Sequence, residues 1–190
     1  TFIADDSSRD ELVAHVYDTT YEVVNRDKDN LVVIDDSIVR GTTLEKSILR
    51  LLDRLGPKKI IVISSAPQIR FPDCYGIDMS RMGDFVAFRA VIELLKEHGK
   101  DYLLGEVYEQ CRQSLNEDVP VNHVKRLYEQ FSYEEVSDKI TEIVKPADMK
   151  AELKVVFQTV DALHKAIPLH LGDWYFTGDY PTPGGTKVAN

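Results

Sequence analysis

The chain has 190 residues, with 32 acidic against 23 basic side chains and a formal net charge of −9 at pH 7. That length suits one domain or slightly more, with room for a sizeable core. The acidic balance argues against nonspecific nucleic-acid binding, which needs a basic surface to neutralise phosphates, but it leaves room for a small phosphorylated ligand held at a local site. Two cysteines, Cys74 and Cys111, are too few for a disulfide framework. They are read as reduced thiols, which fits a cytoplasmic protein. Neither a membrane span, which takes ~20 apolar residues, nor a secretory leader is expected. The chain begins at Thr1 rather than Met, so a fragment or a processed product is expected.

In chain order, a short apolar start (Thr1, Phe2, Ile3) runs into a polar stretch. Ser8 and Glu11 form a capping-box pattern, so a helix is predicted from near Arg9, with Leu12, Val13, Val16 and Tyr17 on its apolar face. Residues 25–30 read as a turn. Residues 31–34 are a short apolar strand. Residues 42–55 have helical spacing, with Leu44, Ile48, Leu51, Leu52 and Leu55 as the stripe, stopped by Gly56 and Pro57. Residues 59–64 (KIIVIS) form a second strand. Strand, helix and strand at this spacing predict a parallel βαβ unit, and uninterrupted apolar runs suit strands covered on both faces. Two strands do not make a stable sheet, so the first half of a parallel sheet is expected to lie outside this chain.

Residues 67–80 form a long loop with two prolines and a glycine. Beyond it, helices are predicted near 84–97, 101–115, 121–130, 133–144 and 148–165. Ser132 and Glu135 give a second capping box, and Pro146 follows that helix's end. Residues 172–190, rich in glycine, proline and aromatics, are expected to be mostly irregular. The fold class is therefore α/β: a partial parallel sheet in 1–80, then a mainly helical region with an irregular tail in 81–190.

The chemistry concentrates in residues 32–43, V-V-I-D-D-S-I-V-R-G-T-T. In open parallel sheets, ligands bind beyond the carboxyl ends of strands, which is where Asp35 and Asp36 fall. The following loop leads to a helix N-terminus, whose unpaired N–H groups and partial positive charge suit a phosphate. Ser37, Thr42 and Thr43 add hydroxyl donors, and Gly41 permits close approach and unusual dihedrals. Carboxylates repel phosphate, so the acids are aimed at another part of the same ligand: sugar hydroxyls, or Mg²⁺ on a pyrophosphate. The competing plain reading is an Asp-Asp turn that caps a helix. Neither a G-x-x-x-x-G-K-[ST] loop nor a G-x-G-x-x-G fingerprint is present.

This string resembles the phosphoribosyl pyrophosphate (PRPP) motif of type I phosphoribosyltransferases. In the form SIVRGTT, followed by KKIIVISSAP and QIRFPDCYGIDMS, it is similar to the glutamine amidophosphoribosyltransferases. The opening Thr1-Phe2-Ile3 and the late segment 175–182 (YFTGDYPT) are similar as well. The likeness is dense over 31–80, weaker over 1–30 and 121–145, and thin over 84–120.

The resemblance implies a partial type I phosphoribosyltransferase fold and the first step of purine synthesis. In that step PRPP, glutamine and water give 5-phosphoribosylamine, pyrophosphate and glutamate. It implies that Asp35 and Asp36 hold the ribose hydroxyls and contribute to the Mg²⁺ site, so they are the catalytic and metal residues. Ser37, Ile38, Val39, Arg40, Gly41, Thr42 and Thr43 would then wrap the 5′-phosphate, mainly through backbone N–H groups, with Arg40 either on a phosphate or simply solvated. Ammonia would come from a glutaminase domain that this chain does not contain, and the pyrophosphate loop would lie upstream. The 190-residue chain alone is therefore expected to be inactive. Purine nucleotides would be feedback ligands and the intact protein a homo-oligomer, with neither nucleic acid nor membrane as partner.

Departures from the pattern matter. The basic mobile loop expected after Ile3 retains only Arg9. Members with an iron–sulfur cluster need four cysteines, and Trp174, Tyr175 and Phe176 stand where those members have cysteine, so no cluster is expected. Cys74 reads as an ordinary loop or core residue. Thr1 as an N-terminal nucleophile is rejected, because Thr1-Phe2-Ile3 matches the middle of the transferase domain. The five histidines share no motif and read as structural or surface residues. The alternatives are another type I phosphoribosyltransferase, such as a nucleobase-salvage enzyme, and a PRPP-sensing regulatory module.

Overall fold

A computed structural model describes residues 23–74, 79–169 and 172–190. The helix predicted near Arg9, together with His15 and His170, lies outside them. Strand β1 (Asn30–Asp35) and strand β2 (Lys59–Ser64) form where the apolar runs predicted them. Between them a helix runs over 42–54. It opens with a π-helical turn, Leu44–Ile48, and continues as α1 (Leu49–Arg54). Gly56, in the left-handed region at φ 75°, ends it as predicted.

The π turn changes which side of the helix is inside. The predicted stripe assumed 3.6 residues per turn. The extra residue of a π turn instead pairs Leu44 with Leu49, and these are the two buried leucines, whereas Leu51, Leu52 and Leu55 are only half-buried. Leu49→Ala is therefore expected to cost about 2–5 kcal/mol, the range for a fully buried leucine, and Leu51→Ala distinctly less. Denaturant midpoints of the two variants would check this; equal losses would contradict it.

After a 3₁₀ turn (Met82–Asp84) come α2 (Val86–Glu97), α3 (Tyr102–Ser114), the short α4 (Lys125–Tyr128) and α5 (Tyr133–Val144). The predicted helix at 121–130 shrinks to that single turn. The Ser132–Glu135 capping box forms in both directions: the Glu135 N–H donates to Ser132 Oγ at 3.1 Å, and the Ser132 N–H donates to Glu135 Oε2 at 2.7 Å.

The helix predicted over 148–165 is wrong. Residues Glu152–Phe157 form β3, and only Val160–Ala166 is helical (α6), capped by Thr159, whose hydroxyl accepts from the Ala162 N–H. Val155 and Phe157 alternate inward with exposed Lys154 and Val156, the two-residue period of a strand. The tail is also more ordered than predicted, with α7 (Trp174–Thr177) and α8 (Pro183–Ala189).

The three strands make one parallel sheet in the order β1-β2-β3, with Asp35 opposite Ser64 and Ser64 opposite Phe157. The sheet thus draws on both sides of residue 80. One face, carrying Ile60, Val62, Val155 and Phe157, is buried in a core shared with α2 and α5, including Val86, Val91, Leu95, Val136, Ile140 and Val144. The other face is not covered as expected by the described residues: Val32 is 56% and Ile34 73% exposed.

Candidate functional site

The site lies where β1 ends. Neighbouring strand residues face opposite sides, so Asp35 turns toward the helix-covered face and is half-buried, while Asp36 is exposed. Asp35 Oδ1 accepts the Asp36 N–H at 3.0 Å. Both main-chain carbonyls are fixed by the segment after β2. The Ser65 N–H and Ser65 Oγ donate to the Asp35 carbonyl at 2.9 and 2.8 Å, and the Ala66 N–H donates to the Asp36 carbonyl at 3.0 Å. The two acids therefore stand on a rigid strand end.

Burial pushes the Asp35 carboxyl above the usual carboxylate range, and the hydrogen-bonded, like-charged Asp36 adds to the rise. A carboxyl whose folded pKa is raised contributes stability that is fully present below its unfolded pKa and is lost as pH rises through the folded value. At neutral pH, Asp35 is thus a cost to folding. Asp35→Asn is expected to raise the melting temperature of the ligand-free protein at pH 7 by about 1–2 °C, with the gain disappearing toward pH 4. Melting curves across pH would test this, and a gain that grows in acid would refute it.

The loop that follows is anchored from below. Ile38 is buried in the core, so any ligand contact from it comes through its backbone. The Val39 carbonyl accepts the Val86 N–H at 2.8 Å, and the Arg40 carbonyl accepts Arg89 Nη2 at 2.7 Å. The Arg40 guanidinium lies 3.9 Å from Asp84, a loose ion pair. Gly41 has φ 74°, and a Cβ there would meet Val144 Cγ1 at 2.8 Å, so its bare α-carbon faces the core. The Gly41 carbonyl accepts the Glu45 N–H at 2.9 Å and opens the helix. Thr42 and Thr43 are exposed, and Thr43 makes no capping hydrogen bond. The structure therefore gathers Asp35, Asp36, Ser37, Arg40, Thr42 and Thr43 in one strand–loop–helix corner.

No family model matches the chain. Curated relatives do. The chain is 41% identical over 92 residues to the amidophosphoribosyltransferase of Pasteurella multocida, covering 48% of this chain and 18% of that protein. It is 46% identical over 80 residues to that of Escherichia coli, covering 42% and 15%. It is 37% identical over 78 residues to that of Staphylococcus aureus strain N315, covering 40% and 16%. The resemblance is to amidophosphoribosyltransferase. The matched stretches span 15–18% of the length of these three relatives.

In this amidophosphoribosyltransferase-like chain, the loop carbonyls are held by Val86 and Arg89, which carry no motif of their own. They belong to α2, in a region where the family likeness is thin. The loop after β2 is likewise fixed by residues far along the chain: Tyr128 and Tyr180 hydroxyls donate to the Arg70 and Pro72 carbonyls at 3.0 and 2.6 Å, and the Tyr175 carbonyl accepts the Arg70 and Phe71 N–H groups. His98 and His164 are engaged locally, by the Leu94 carbonyl at 2.9 Å and by Asp173 at 3.1 Å, in keeping with structural roles. Cys74 is half-buried and Cys111 buried, both as free thiols. Among the described residues no helix is long and apolar enough to cross a membrane.

Proposed function

We propose that residues 35–43 form one half of a PRPP site, and that the intact protein uses it as an amidophosphoribosyltransferase. The observation that carries this reading is the corner itself: two carboxylates on a strand end whose main chain is held by the segment after β2, followed by a left-handed glycine and a helix start with exposed threonines. Asp35 and Asp36 accept hydrogen bonds from the ribose hydroxyls. The backbone N–H groups and hydroxyls of Ser37–Thr43 take the 5′-phosphate at the helix N-terminus. Ammonia released from glutamine attacks C1 of the ribose, the C1–O bond to pyrophosphate breaks, and the new C1–N bond sheds a proton to give 5-phosphoribosylamine. The reacting carbon carries positive charge in the transition state, so fixed nearby carboxylates and correct positioning matter more than a strong base.

The donor set suits Mg²⁺. Hard oxygens from one or two carboxylates, completed by substrate phosphates and water, are what this ion takes, and a cation beside Asp35 would offset the burial, and the smaller repulsion from Asp36, that raise its carboxyl. Asp35 and Asp36 would hold it, and its chemistry there is to neutralise the departing pyrophosphate. On the same reading, purine nucleotides act as feedback ligands, and the intact protein is a cytoplasmic homo-oligomer.

The test is the stoichiometry of the intact protein given PRPP and glutamine. Pyrophosphate and glutamate should form one to one. Pyrophosphate release that needs a nucleobase and ignores both glutamine and ammonia would favour a salvage transferase instead. The 190-residue chain alone is expected to release no pyrophosphate, which the same assay reads directly.

A further inference from the structure

The carbonyls of residues 39 and 40 both turn toward α2. A trans peptide is planar, so its C=O and N–H point in opposite directions. The Val39 carbonyl shares its plane with the Arg40 N–H, and the Arg40 carbonyl shares its plane with the Gly41 N–H. Holding the two carbonyls on Val86 N–H (2.8 Å) and Arg89 Nη2 (2.7 Å) therefore aims two consecutive N–H groups away from α2. Val86 supplies an N–H of the first helical turn, which has no intrahelical partner. Arg89 supplies a side chain that is partly buried, with its Nε buried and lacking a hydrogen-bond partner among the described residues.

We propose that Arg89 is a positioning residue of the phosphate loop: it locks the peptide after Arg40 so that the Gly41 N–H faces the 5′-phosphate, and it places a fixed positive charge behind that phosphate. This rests on the reading of residues 35–43 as a PRPP site. Arg89 does not touch substrate on this account; it acts through the Arg40 carbonyl.

The experiment uses the intact protein and its Arg89→Met and Arg89→Lys variants, with ammonia as nitrogen donor. For Arg89→Met, the KM for PRPP and the inhibition constant of ribose 5-phosphate should each rise about tenfold, the scale of one charge-assisted hydrogen bond, with kcat within about threefold. Arg89→Lys, which keeps a cationic donor, should recover much of the loss. In the unmodified protein, ribose 5-phosphate should slow amide exchange at Gly41, a readout that does not depend on any variant folding. An Arg89→Met protein that melts earlier but keeps its KM and inhibition constant would reduce Arg89 to packing and overturn the proposal, as would a Gly41 amide indifferent to bound ribose 5-phosphate. If the unmodified protein binds no ribose 5-phosphate, it is the site reading itself that falls.

Discussion

On the proposed PRPP site, replacing Asp35 and Asp36 together by asparagine is expected to lower PRPP turnover by the intact protein at least about a hundredfold, because two charge-assisted hydrogen bonds to the ribose, each worth ~1.5–3 kcal/mol, would be lost. Folding should hardly change. Asp36 is exposed, and Asp35 at neutral pH is already a cost. Asparagine also keeps the Oδ1 acceptor that takes the Asp36 N–H. The expected combination is therefore unchanged or slightly raised melting with nearly absent turnover. A protein that loses activity only in proportion to lost folding would show the pair to be an ordinary strand-end turn.

The second large effect is at Gly41. An alanine there must adopt φ 74° and place a Cβ 2.8 Å from Val144 Cγ1. The left-handed backbone costs ~1–2 kcal/mol and the overpacking ~1–3 kcal/mol. Together they predict a loss of about 2–5 kcal/mol, or roughly 5–15 °C in melting temperature. Gly99 is the control: its φ is 65°, but a Cβ there meets nothing within 4 Å. Gly99→Ala should show the backbone cost alone. Equal losses at the two positions would mean that the loop does not rest on α2 and α5 as described.

How much of this was visible in the sequence depends on how local each cause is. Strands β1 and β2 and the corner at 35–43 are written in contiguous residues, so they could be read directly. The capping box at Ser132 was legible for the same reason. β3 was not. Its string E-L-K-V-V-F sits among strong helix formers, and it becomes a strand because β2 offers a partner ladder almost a hundred residues away. The π turn escaped because the leucine stripe at 44–55 satisfies an α-helical period; only packing shows that Leu49 replaces Leu51 inside. Glycine at 41 was legible as a special residue, but the reason was half-seen. Its freedom serves close approach to Val144 and Val86 as well as any ligand. Arg89 left no local trace, since a lone arginine in an amphipathic helix ordinarily faces water.

The most direct measurement is a calorimetric titration of PRPP with Mg²⁺ into the intact protein and into its Asp35→Asn, Asp36→Asn double variant. The account predicts saturable one-to-one binding to the unmodified protein and affinity at least about a hundredfold lower in the double variant, the loss of two charge-assisted contacts, with both proteins equally folded. Equal affinities would contradict the assignment of the two carboxylates to the ribose and its metal.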